Sequence, residues 1–159
     1  MRHSKPKSEA PFSDVRSAMR RALDLLSRRE HSAVELQAKL GAKGFEAAHI
    51  DAALAALVDK GLLNEKRFVE SYVRSRINRG YGPLRIRAEL RERGAEPASD
   101  EWFSDDKPVD WFALASNARE KRFGCVLPQD YKEQARQMRF LQQRGFTSEQ
   151  IRAAIRPSE

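Results

Sequence analysis

Apolar residues recur along this chain at three- and four-residue spacing, and nowhere does a run of alternating β-branched residues compete. Ile50, Leu54, Leu57 and Val58 fall at i, i+4, i+7 and i+8, and Met19, Ala22, Leu23 and Leu26 form a similar stripe. Such stripes predict amphipathic helices with one face turned inward. Start signals agree: Ser32 with Glu35 and Thr147 with Gln150 have the spacing of a capping box, and Pro83, Pro108 and Pro128 suit first-turn positions. Gly61, Gly80, Gly94 and Gly124 supply stops, since glycine enters the left-handed conformation without a Cβ clash. Nine helices are expected, starting near residues 13, 32, 46, 65, 83, 98, 108, 128 and 147.

A repeat underlies this pattern. Gly44, Gly94 and Gly145 lie 50 and 51 residues apart, and each follows a leucine by four residues, at Leu40, Leu90 and Leu141. In two copies an aromatic follows the glycine and an isoleucine comes five residues later, Phe45 with Ile50 and Phe146 with Ile151. The middle copy has Ala95 and Asp100 instead, so its third helix is expected to be shorter or to anchor through Trp102 and Phe103. A period near 50 points to tandem units, each too small to bury its apolar face alone. The predicted fold is all-α, three tandem three-helix repeats in an elongated, curved array. The repeats span 12–63, 64–107 (with an acidic connector) and 108–159, after a basic tail at 1–11.

Charge changes the picture from fold to partner. The 159 residues carry a formal net charge of +7, and 21 of the 30 basic residues are arginine, whose planar fork matches phosphate and carboxylate. Residues 66 to 93 alone contribute +6, with nine cations against Glu70, Glu89 and Glu92, whereas residues 96 to 110 carry −5. Spacing accounts for some of these cations, because Glu70 precedes Arg74 and Glu89 precedes Arg93 by one turn. Arg76 and Arg87 have no acid within reach on their own helices, Arg87 and Arg91 repel each other, and Arg85 sits in a first turn where the helix dipole disfavours cations. Arg76, Arg79, Arg85, Arg87 and Arg91 are therefore the candidate partner- or anion-binding residues, and the alternative for them is a solvated face.

Other chemistry finds little support. Gly80, Tyr81 and Gly82 begin like a dinucleotide fingerprint, but Arg85 occupies the third glycine position, no strand precedes, and Pro83 removes an N–H that would cradle phosphate. His3, His31 and His49 lack metal-ligand spacing, His31 falling at a helix start, and Cys125 has no histidine nearby in sequence. No catalytic residue, metal site or cofactor is expected. The single cysteine and the absence of an 18-residue apolar run argue for the cytoplasm and against a membrane partner.

The block GYGPLRIRAELRERG, preceded by DKGLLNEKRFVESYVRSR, resembles the RecX family of bacterial recombination regulators. The likeness rests on Gly82, Pro83, Arg85, Ile86, Glu89, Leu90 and Gly94 with the upstream Gly61, Leu62, Leu63, Arg67, Phe68, Tyr72 and Arg76, and extends over residues 14 to 155. Gly82, Pro83, Ile86, Leu90 and Gly94 are its structural motif. Ala95 departs from the family, where a larger apolar residue usually follows the glycine. The resemblance implies a non-enzymatic regulator that lodges in the groove of a RecA filament on single-stranded DNA and inhibits strand exchange, ATP hydrolysis and repressor cleavage, so modulating recombination, repair and the SOS response. Single- or double-stranded DNA is a further candidate partner, and the oligomeric state is left open, compatible with a monomer. The alternative is a helical-repeat nucleic-acid-binding protein acting independently of RecA, and a third reading is an adaptor for another protein.

Overall fold

The computed structural model describes residues 14–95, 100–104, 106 and 109–156. Among them are eight α-helices and no strand: α1 (Val15–Arg28), α2 (Ala33–Ala42), α3 (Ala47–Asp59), α4 (Glu65–Asn78), α5 (Pro83–Glu92), α6 (Trp111–Phe123), α7 (Tyr131–Arg144) and α8 (Ser148–Ile155). The chain divides into two compact units, Met1–Phe68 and Val69–Glu159, with the boundary inside α4.

In the first unit α1, α2 and α3 pack mutually around Ala18, Ala22, Leu36, Leu40, Ile50, Leu54 and Leu57. The stripes read from sequence supply Ala22, Ile50, Leu54 and Leu57 of this core, but Val58 and Leu23 stand on the rim and are exposed. Their helices turn a narrower face inward than the spacing allows. The expected capping box at Ser32 is present, with its hydroxyl accepting from the Glu35 N–H and the Glu35 carboxylate accepting from the Ser32 N–H, both at 3.1 Å. Just before it, His31 is fully buried: Nδ1 lies 3.0 Å from the Arg29 carbonyl and Nε2 3.1 Å from Lys39 Nζ. Arg67, at the start of α4, reaches back to Glu30 at 3.0 Å.

In the second unit α6, α7 and α8 form a second three-helix bundle around Ala115, Leu141, Phe146, Ile151, Ala154 and Ile155. Thr147 and Gln150 make the second capping box. Pro128 does not open a helix, because Asp130 caps α7 two residues later through the Glu133 N–H. The buried Arg119 donates to the carbonyls of Gly124 and Val126, holding the loop that carries the exposed thiol of Cys125.

The repeat has a backbone explanation. Phe45, Ala95 and Phe146 each donate an N–H to the carbonyl of Leu40, Leu90 and Leu141, at 3.2, 3.0 and 3.2 Å. The glycines between them have φ of +94°, +71° and +93°. This is the left-handed helix stop in which the residue after the glycine folds back on the preceding turn and packs against it. Leucine and following residue are buried in all three copies, so Ala95 fills the place of the aromatic. Asp100, where the other copies have isoleucine, begins a single turn of 3₁₀ helix, Asp100–Trp102. Phe103 then stacks on Trp111 with ring centroids 5.8 Å apart. The expected helix start near 98, part of the connector, Pro108 and the N-terminal tail lie outside the described residues.

Candidate functional site

The arginine-rich stretch builds a cluster of cations and rings within the second unit. Val73, Ile86 and Leu90 are fully buried, which turns the opposite faces of α4 and α5 outward and brings Tyr72 and Arg76 of α4 beside Arg85 and Glu89 of α5. Glu89 is the hub. Its Oε2 accepts from the Tyr72 hydroxyl at 2.7 Å and lies 2.9 Å from Arg76 Nε, and its Oε1 lies 3.2 Å from Arg85 Nε. Arg76 Nη2 also donates to the Tyr72 hydroxyl at 3.0 Å.

Aromatic faces hold the guanidinium groups. The Arg76 and Arg93 carbons lie 5.0 and 4.8 Å from the Tyr72 ring centre, and those of Arg85, Arg144 and Arg76 lie 4.1, 4.9 and 5.6 Å from that of Tyr81. All are within cation–π range. Burial acts to raise the Glu89 pKa, but the Tyr72 and Arg85 hydrogen bonds and the Arg76 charge outweigh it, and the carboxyl titrates below its usual range. Burial and the hydrogen bond to Glu89 push the Tyr72 phenol up. The hub is therefore a carboxylate at neutral pH.

Two of the arginines have a partner that their spacing did not assign. Arg76 has no acid on its own helix, yet it is paired with Glu89 of the neighbouring helix, and its side chain is only 20% exposed. Arg85 is paired one turn along its own helix, in the weaker order with the cation first. Arg74 pairs with Glu70 at 2.8 Å as expected, while Arg93 donates to the Glu89 carbonyl. Arg87 is half-buried with its guanidinium 5.7 Å from the Phe103 ring centre, Arg91 is exposed at the end of α5, and Arg79 is exposed just beyond α4.

The glycine turn is not a phosphate loop. The N–H groups of Gly80, Tyr81 and Gly82 donate to the carbonyls of Ile77, Arg76 and Arg144, at 2.9, 3.1 and 2.7 Å, which leaves none to cradle an anion. Pro83 occupies the first position of α5, and the Leu84 N–H donates to the Gly145 carbonyl at 2.9 Å. The motif residues thus dock the α4–α5 turn onto the α7–α8 turn. Sequence reasoning missed Tyr81 and Arg144 as members of the site; the one signal available was two glycines flanking a tyrosine, which reports a turn but not its distant partner.

Among the described residues no group of His, Cys, Asp and Glu could hold a metal ion, and no helix is long and apolar enough to cross a membrane. Models of the first, second and third three-helix domains of RecX match residues 18–57, 64–98 and 109–155. A protein named Regulatory protein RecX from Halorhodospira halophila is 49% identical over 133 residues, covering 84% of this chain and 83% of its own. Another of that name from Pseudomonas savastanoi pv. phaseolicola is 45% identical over 139 residues, covering 87% and 90%. The crystal structure of RecX from Lactobacillus salivarius has the same fold, with a TM-score of 0.71 over 89% of this chain and 94% of that one, at 24% identity. Three successive domain matches and relatives of this similarity along most of its length place the chain in the RecX family of regulatory proteins.

Proposed function

We propose that this chain is a non-enzymatic cytoplasmic regulator that binds RecA assembled on single-stranded DNA and restrains strand exchange, ATP hydrolysis and repressor cleavage. Membership of the RecX family along most of the chain is the observation that carries the reading. The geometry supports a division of labour among its arginines. Arg76 is a positioning residue: paired with Glu89 and stacked on Tyr72, it holds α4 against α5. Arg79, Arg85, Arg87 and Arg91 present guanidinium groups to a partner's phosphates or carboxylates, bidentate contacts for which arginine is better suited than lysine.

The test is the ATPase rate of RecA preassembled on single-stranded DNA, with this protein titrated from well below equimolar upward. Loss of activity at ratios too low to coat the DNA is the expected result. An unchanged rate while the protein still binds the DNA overturns the reading.

A further inference from the structure

On the second unit a concavity of about 280 Å³ is lined by Arg79, Lys121, Arg122 and Arg144, with Ala118 and Phe140 as its apolar part. No carboxylate among the described residues lies within ion-pair distance of any of the four cations. That sets them apart from Arg76 and Arg85, which share the one carboxylate of Glu89.

The local explanation is that these cations compensate helix C-termini, because Lys121 and Arg122 lie in the last turn of α6, Arg144 ends α7 and Arg79 follows α4. A helix end carries about −0.5 of a charge, so three ends offset only about 1.5 of the four positive charges. More than two charges stay uncompensated around one small concavity. Arg144 is also fixed in place: its Nη1 donates to the Arg79 carbonyl at 3.0 Å, and its guanidinium lies 4.9 Å from the Tyr81 ring centre and 5.1 Å from that of Phe140. A guanidinium already held by rings and backbone loses little entropy on meeting a ligand.

We propose that this concavity is a binding site for the phosphodiester backbone of a nucleic-acid strand. A backbone phosphodiester carries one charge on two non-bridging oxygens, as a carboxylate does, so it is the gathering of four cations at one concavity, more than a single anionic group can pair with, that points to a chain of closely spaced phosphates. The cationic surface also continues across Tyr81 to Arg85, whose guanidinium lies 4.1 Å from the same ring, and a strip of this kind suits a polymer with a charge at every repeat. This interaction needs no RecA. It puts the nucleic acid at the ends of α4, α6 and α7 rather than at the cluster around Glu89.

The experiment is anisotropy titration of a labelled single-stranded oligothymidylate, without RecA, across a range of salt concentrations. The variant Arg79→Ala/Lys121→Ala/Arg122→Ala removes three exposed cations, and Arg16→Ala/Arg20→Ala/Lys43→Ala removes three exposed cations from the first unit with the same change in net charge. Arg144 is left intact because it is half-buried. The pocket variant should bind at least about tenfold more weakly at ~0.1 M salt, and its plot of log affinity against log salt should be shallower by about 2, at roughly 0.7 for each phosphate it no longer neutralises. The control should stay within about threefold of the parent. Circular dichroism checks that helix content is unchanged, and Lys121→Glu, a single exposed position, repeats the test with minimal risk to folding. Equal weakening by both triple variants, no binding by the parent, or tighter binding to polyglutamate than to the oligonucleotide would each overturn the proposal. Because RecA is absent, these outcomes are independent of the ATPase result.

Discussion

Gly82 and Gly145 meet backbone to backbone: a Cβ built on Gly82 would lie 2.5 Å from the Gly145 carbonyl carbon, and one built on Gly145 would overlap Arg85. This close approach fixes where the α4–α5 turn sits on the α7–α8 turn, and with it the position of Tyr81 between Arg85 and Arg144. Gly82→Ala and Gly145→Ala should each cost about 3 kcal/mol, because the obstacle is backbone and cannot swing aside. Gly44→Ala is the comparison. Its φ of +94° is as unsuited to alanine as the +93° of Gly145, whereas Gly82 has an ordinary φ of −92°, but nothing lies within 4 Å of the carbon added at Gly44, so the loss should be about 1 kcal/mol. Urea unfolding of the three variants measures the difference, and equal losses at all three positions would rule out the close approach as the cause.

Glu89 holds the arginine cluster together, and its removal should cost more than that of any exposed ion pair. Glu89→Gln leaves Arg76 beside a neutral amide in a site where both side chains are at most 20% exposed, which should destabilise the chain by about 2 kcal/mol. Tyr72→Phe removes one hydroxyl between the same partners and should cost about 1 kcal/mol. Arg74→Ala breaks a shorter ion pair, 2.8 Å to Glu70, yet both groups are well exposed and the effect should stay within about 0.5 kcal/mol. Denaturant midpoints of the three variants check the order. A loss for Arg74→Ala as large as that for Glu89→Gln would contradict the role of burial.

The helices, the three glycine stops and the two capping boxes were legible because each is a local event. Leu40, Gly44 and Phe45 are near neighbours in sequence, and the bond that joins the Phe45 N–H to the Leu40 carbonyl needs nothing from elsewhere. The cluster was only half legible. Arg85 with Glu89 is a one-turn pair that spacing could have found, although the cation comes first. Arg76 with Glu89 depends on how α4 crosses α5, and Tyr81 with Arg144 on a turn 63 residues further along the chain, so no periodicity reports either. The same physics explains Val58: spacing tells which residues share a helical face, while the width of the buried strip is set by the neighbouring helix.

His31 gives the first unit a pH dependence. Burial lowers its pKa below 6.5, offset only in part by the hydrogen bond to the Arg29 carbonyl, and Lys39 Nζ donates to its other nitrogen. The folded chain therefore keeps the ring neutral at pH values where the unfolded chain protonates it. Unfolded protein binds the extra proton, so stability is full above the unfolded value and falls as pH drops below about 6.5 until the folded site also titrates. Thermal midpoints should fall between pH 7.5 and 5.5, and His31→Gln should flatten that slope. A midpoint as pH-sensitive in the variant as in the parent would place the titrating group elsewhere.

Charge reversal separates the arginines that build the site from those that serve it. Arg76→Glu sets a second carboxylate against Glu89 in a half-buried pocket and should lower stability by about 3 kcal/mol, so weaker partner binding by this variant would report folding. Arg79→Glu changes the net charge by the same amount at an exposed position whose backbone carbonyl, not its side chain, is used by Arg144. Its stability should stay within about 0.5 kcal/mol of the parent, while partner binding falls. The informative measurement pairs a urea midpoint with an affinity for each variant. If Arg79→Glu keeps both its midpoint and its affinity, the cations beyond α4 are a solvated face, and binding must be sought at Arg87 and Arg91.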